Sequence, residues 1–217
     1  MSQILEFMGV NRIISVDLHS LQAQGFVSSK VVFDNYEGAF AGLSYFLKNI
    51  PDKNELVVVS PDAGGMGRAK SFHGHFGFHG HTNVGLAMIS KERKQANQVD
   101  SMILIGDVKD KVCIIVDDMV DTAGTLCKAS DLLKEKGAKQ VYAFISHGIF
   151  SGPAGDRIRA SSLEKIITTD SMMIEPEFAK KVGHKHETVS LDLLLAEAIR
   201  RSHQHEDTQP LLKIPIY

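Results

Sequence analysis

Residues 112–125 read VCIIVDDMVDTAGT. An apolar, mostly β-branched run ends in two adjacent carboxylates, Asp117 and Asp118. A short loop then supplies Asp121, Thr122, Ala123, Gly124 and Thr125, and helix-like spacing follows. That order places acids and small residues between the carboxyl end of a strand and the amino end of a helix. In open α/β sheets this crevice is where ligands bind. Backbone N–H groups at a helix start cradle phosphate, and a Gly permits close approach. Acids in the same loop repel phosphate, so they need another task. Accepting hydrogen bonds from sugar hydroxyls is one, and holding Mg²⁺ through water is another. The stretch points to a phosphorylated sugar.

Outward from this stretch, strands and helices alternate. Residues 2–8 read as a short helix closed by Gly9. Strands are expected at 12–16, 56–59, 84–89, 112–116, 141–145 and 165–169. Phe40, Leu43, Leu47 and Ile50 stand at helical spacing within 34–50. Leu126, Ala129, Leu132 and Leu133 mark one face of a helix that stops at Gly137. Residues 191–203 form a last amphipathic helix, and the tail PLLKIPIY is expected to pack as an edge segment. Several strands are apolar throughout, which argues for a parallel sheet covered on both faces.

Residues 72–81, FHGHFGFHGH, hold four of the ten histidines. Such tracts can bind transition metals, but the two HGH pairs lack a helix or hairpin frame. A glycine-loosened mobile loop is the expectation. In HGIFSGPA at 147–154, Gly148, Gly152 and Pro153 mark a turn, with Ser151 as a helix cap.

Composition excludes several classes. The chain has 217 residues, is 43% hydrophobic and carries a formal charge of −2. Nothing in that balance demands a nucleic-acid or membrane partner. Cys113 and Cys127 sit in apolar patterns and read as buried free thiols. MSQILEFMGV lacks the features of a signal peptide, so a cytoplasmic protein is expected.

Other segments narrow the reading. Residues 11–26 read NRIISVDLHSLQAQGF, 57–65 VVVSPDAGG, and 91–100 KERKQANQVD, followed closely by Gly106-Asp107-Val108. With HGIFSGPA at 147–154 and LLAEAIRR at 194–201, their order resembles ribose-phosphate pyrophosphokinase, the phosphoribosyl pyrophosphate synthetase family, over nearly the whole chain. The resemblance implies a parallel-sheet, type I phosphoribosyltransferase-like α/β fold. It also implies a second, related domain, here reduced to a remnant. On that basis 1–30 are the remnant of an N-terminal synthetase domain, 31–190 the phosphoribosyltransferase-like domain, and 191–217 a C-terminal helix and tail. The family's flexible ATP-binding loop would lie upstream of residue 1.

The implied reaction transfers pyrophosphate from ATP to C1 of ribose 5-phosphate, with Mg²⁺ as the metal. Asp117 and Asp118 match the family's ribose-hydroxyl acids. Asp121, Thr122, Ala123, Gly124 and Thr125 match its 5-phosphate loop. A solvated turn with an N-capping Thr is the plainer alternative. Lys91 and Arg93 match the catalytic basic pair, which would stabilise charge gained in the transition state. His19 and Asp62 match the ligands of Mg·ATP, with Gln24 beside the nucleotide. Asp107 is either a further site residue or a turn residue. The expected assembly is a homo-oligomer, or a hetero-oligomer with a longer synthetase subunit, weaker than or altered from the family's rings. A non-catalytic, sugar-phosphate-binding associated subunit is the second reading. Such relatives tend to lose the phosphate-loop and basic residues, which are intact here. A nucleobase phosphoribosyltransferase would share 112–125 but not the other segments in order.

Overall fold

The computed structural model describes residues 1–50, 55–92 and 101–212. The described residues form two units, one within 1–38 and 190–212 and one within 39–189. The first unit runs from the N-terminus to Gly38 and also contains the C-terminal helix.

In the first unit, helix α1 (Ser2–Phe7) precedes strand β1 (Arg12–Val16). A 3-10 turn (Leu21–Phe26) leads towards β2 (Val32–Tyr36), which pairs parallel to β1 from Arg12↔Val32 to Val16↔Tyr36. Asp17 turns the chain after β1 at φ 44°, and its carboxylate accepts from Gly38 N–H at 2.9 Å. The C-terminal helix Asp192–His203 carries ion pairs from Glu197 to Arg200 (2.7 Å) and Arg201 (2.6 Å).

The second unit begins with α2 (Ala39–Asn49), β3 (Leu56–Ser60), α3 (Met66–Phe78), β4 (Gly85–Glu92) and β5 (Ser101–Ile105). It continues with β6 (Val112–Val120), α4 (Gly124–Glu135), β7 (Gln140–Gly148) and α5 (Ala154–Ala160). It closes with β8 (Lys165–Thr169), α6 (Pro176–Val182) and β9 (His186–Val189). The sheet order is β5-β4-β3-β6-β7-β8-β9. All neighbours are parallel except the antiparallel edge pair β4–β5.

The continuous apolar runs follow from burial on both faces. Val58, Ile114 and Phe144 face Leu43 and Phe46 of α2 and Phe72 and Phe76 of α3. Their chain neighbours Val57, Val59, Cys113, Ile115, Ala143 and Ile145 belong to the opposite layer, with Leu126, Ala129 and Leu133 of α4 and Ile158 of α5. Burial pushes the Cys113 thiol up to about 12, leaving a neutral, packed side chain. No helix among the described residues is long and apolar enough to cross a membrane.

Several expectations need correction. The segment from residue 34 is first strand (β2), and the helix begins only at Ala39. Residues 72–78 of the histidine tract are helix rather than loop. Ala69, Phe72 and Phe76 recur at helical spacing and are fully buried, and Phe72 stacks on Phe144 at 5.5 Å between ring centroids. That buried stripe outweighs the two internal glycines. His73 bonds the Val84 carbonyl at 2.8 Å, and His75 packs on Phe40 at 4.4 Å. Helix α5 has Pro153 at its N-cap rather than Ser151, and the described part of the tail, Gln209–Leu212, is a 3-10 turn.

Phe72→Ala removes a fully buried ring and is expected to destabilise the chain by about 3–5 kcal/mol in a denaturant titration. A loss under about 1 kcal/mol contradicts the packed helix.

Candidate functional site

At the end of β3 the chain turns through Ser60, Pro61 and Asp62 into α3. Ser60 Oγ donates to the Asp62 carbonyl at 2.6 Å. Gly65 N–H donates to Asp62 Oδ1 at 3.0 Å. Gly65 is the N-cap, and a Cβ there would approach Ser60 Oγ to 3.0 Å, so the tight turn favours glycine. The turn delivers Arg68, in the first turn of α3, to the end of β6. Its Nη1 lies 3.2 Å from Asp117 Oδ1 and its Nη2 3.0 Å from Asp118 Oδ2.

Strand β6 runs on through both acids to Val120, with Asp117 opposite Ile145 and Met119 opposite His147. The acids are therefore part of the strand rather than the loop after it. Asp118 Oδ1 accepts from Met119 N–H at 2.9 Å, and Asp117 Oδ1 from Asp118 N–H at 3.0 Å. The Asp118 side chain is 5% exposed and that of Asp117 30%. Burial, and next the neighbouring Asp118 charge, push the Asp117 carboxyl up to about 6. The Asp118 N–H and Arg68 pull the other way.

Beyond β6, Asp121 and Thr122 are exposed, and Ala123 adopts a left-handed conformation (φ 58°) as the N-cap of α4. No side chain caps this helix, so an N-capping Thr is not what shapes the loop. Arg157 of α5 donates from Nη1 to the Thr122 carbonyl at 2.9 Å. A Cβ at Gly124 would meet that nitrogen at 3.2 Å. The loop is thus braced from α5 while the first turn of α4 and its dipole remain directed at the crevice. A helix start of this kind can accept an anion.

Asp62, Asp117, Asp118 and the 121–125 loop all stand at the carboxyl ends of adjacent strands β3 and β6. His147 belongs to the same edge, on β7. Its Nδ1 lies 2.8 Å from Ser171 Oγ, which donates to the Ser146 carbonyl at 3.0 Å. Lys91 is the penultimate residue of β4, and only its backbone is described; Arg93 lies outside the described residues. His19 is exposed just after β1, and Gln24 lies in the following 3-10 turn, both in the other unit. Asp107 Oδ1 accepts from Lys109 N–H at 3.0 Å, the pattern of a turn.

Among the described residues no group of three or more His, Cys, Asp or Glu is arranged to hold a metal ion. The carboxylates of Asp62, Asp117 and Asp118 are hard oxygen donors. They fit Mg²⁺ held largely by substrate phosphates and water, which needs only one or two protein carboxylates.

A family model described as the phosphoribosyl synthetase-associated domain matches residues 92–213, more than half of the chain. Among solved structures, phosphoribosylpyrophosphate synthetase from Mycobacterium smegmatis matches with a TM-score of 0.81 and 34% identity. The match covers 94% of this chain and 62% of that one. This chain belongs to the phosphoribosylpyrophosphate synthetase family and shares its α/β fold with a mostly parallel sheet. Membership places it in a family of transferases of nucleotide biosynthesis. Purine phosphoribosyltransferase from Pyrococcus horikoshii Ot3 matches at 18% identity and a TM-score of 0.40, over 77% of this chain and 85% of that one.

Arg68 is the site residue that sequence reading missed. The available signal was the pair of acids itself, which needs a cation once its strand is buried. Because the Asp117 carboxyl is raised in the fold, the folded chain binds more protons than the unfolded one between about pH 4 and about pH 6. Its contribution to stability therefore falls as pH rises through that window. Asp117→Asn removes the effect. The Tm of this variant, relative to wild type, is expected to climb between about pH 4 and about pH 6.5 in thermal melts. A difference that shrinks over this range contradicts the assignment.

Proposed function

We propose that this chain is the catalytic polypeptide of a ribose-phosphate diphosphokinase, using ATP and ribose 5-phosphate. The observation that carries the reading is the join of β6 to α4. Two carboxylates among the last four residues of the strand stand one short loop ahead of a helix start. One molecule carrying hydroxyls at one end and a phosphate at the other suits both parts.

On this reading the 5-phosphate sits on residues 121–125, and Asp117 and Asp118 accept hydrogen bonds from the ring hydroxyls. The pentose is then held at both ends, with C1 towards the open crevice. The anomeric hydroxyl attacks the β-phosphorus of ATP. The bond from that phosphorus to the α–β bridging oxygen breaks, and AMP departs with the oxygen. Such transfer depends on positioning and charge neutralisation more than on covalent catalysis. Lys91 and Arg93 supply cations near the transferring group. Asp62 would hold the metal side of Mg·ATP, and the family resemblance assigns His19 to Mg·ATP and Gln24 to the nucleotide. Mg²⁺, when bound, neutralises phosphate charge and orients the chain of phosphates.

A second reading, a sugar-phosphate-binding subunit associated with a longer synthetase chain, has one observation in its favour: the matching family model is described as a synthetase-associated domain. On either reading the partners are copies of this chain or a longer synthetase subunit.

Purified chain given ATP, ribose 5-phosphate and Mg²⁺ is expected to form AMP. Asp118→Asn, which keeps the side-chain shape, is expected to lower the rate by about 100-fold or more. Folded wild-type chain that binds ribose 5-phosphate yet forms no AMP establishes the subunit reading instead.

A further inference from the structure

Asp117 and Asp118 are an improbable pair to bury on consecutive residues, because neighbouring carboxylates resist joint ionisation. The group that makes the pair tenable comes from 49 residues earlier in the chain. Arg68 reaches one carboxylate with each terminal nitrogen, at 3.2 and 3.0 Å. A planar fork can bridge two acceptors in a set orientation, whereas an ammonium group is a point charge.

The two acids are not equivalent within this bridge. Asp118 is almost wholly buried, and both its oxygens are engaged, Oδ1 by Met119 N–H and Oδ2 by Arg68. Asp117 bonds Arg68 and the Asp118 N–H through Oδ1, and its side chain keeps 30% exposure. A carboxylate offers about four acceptor positions, so these two bonds leave Asp117 capacity for a ligand. Asp118 thus anchors the fork, and Asp117 is the acid turned to solvent.

We propose that Arg68 is a positioning residue for sugar recognition, locking Asp117 and Asp118 into one unit that accepts hydrogen bonds from the vicinal hydroxyls of a pentose 5-phosphate. This rests on the sugar-phosphate reading above and adds the residue that sets its selectivity. The ligand class is narrowed to pentose phosphates with both ring hydroxyls, because a locked acceptor left unmatched is penalised far more than a flexible one. Phosphate binding does not share the device: its loop is braced separately, by Arg157 on the Thr122 carbonyl. Loss of Arg68 should therefore separate sugar recognition from phosphate recognition.

The test is calorimetric titration of the full chain with ribose 5-phosphate, 2-deoxyribose 5-phosphate and inorganic phosphate. Wild type is expected to prefer ribose 5-phosphate over the other two. Arg68→Gln is expected to lose about 10- to 100-fold in affinity for ribose 5-phosphate, with inorganic phosphate changed by less than about twofold. Arg68→Lys, which restores the charge but not the fork, should recover only part of the loss. A preference for ribose 5-phosphate that survives Arg68→Gln overturns the inference alone. Equal loss of affinity for ribose 5-phosphate and inorganic phosphate also overturns it, since the role is then general support of the edge. Wild-type chain that binds ribose 5-phosphate no better than inorganic phosphate overturns the sugar-phosphate reading itself, and this inference with it.

Discussion

Charge on consecutive residues at the end of a buried strand is the constraint around which this edge of the molecule is arranged. Asp117 and Asp118 are carried there by β6, whose preceding residues are shut away on both faces. Water cannot neutralise Asp118, so the protein does so with Arg68 and with the Met119 N–H. That requirement fixes where α3 begins. The helix must start close to the end of β3, and the Ser60–Asp62–Gly65 hydrogen bonds make that turn short.

The same economy shapes the other side of the loop. On the proposed reading the loop cradles a phosphate, which needs main-chain N–H groups held in a set direction, but a loop of small residues does not hold itself. Ala123 takes the left-handed turn, and Arg157 pins the carbonyl before it. Two arginines from helices on opposite layers of the sheet therefore clamp one nine-residue strand and its exit. Neither packing layer alone could shape this edge.

Much of the architecture was legible in the sequence because the strands are short and apolar throughout, and the helices after them keep a clear face. Residues 165–169 form the strand their pattern implies, and Gly137 closes α4 with φ 90°. Helix α3 was not legible. Its exposed positions, Gly67, Lys70, Gly74, Gly77 and Phe78, show no clean polar stripe, and its buried face becomes visible only with Phe144 stacked against Phe72. Strand β2 was absorbed into the helical pattern that begins at Ala39, and β5, which pairs antiparallel with the preceding strand β4 at the sheet edge, was not read as a strand. The acids and the loop of the site were readable because they are contiguous. The Arg68 fork was not, because it depends on which helix face meets which strand end.

Strand β6 alternates between two cores, Cys113 and Ile115 in one and Ile114 and Val116 in the other. A slip of one residue would exchange the two sets between unlike cavities and would also carry the acids past their cation. Insertion or deletion within this strand is therefore closed as an evolutionary route. The ligand preference of this edge can drift only through substitutions of similar volume, while the loops that follow the outer strands remain free to change in length.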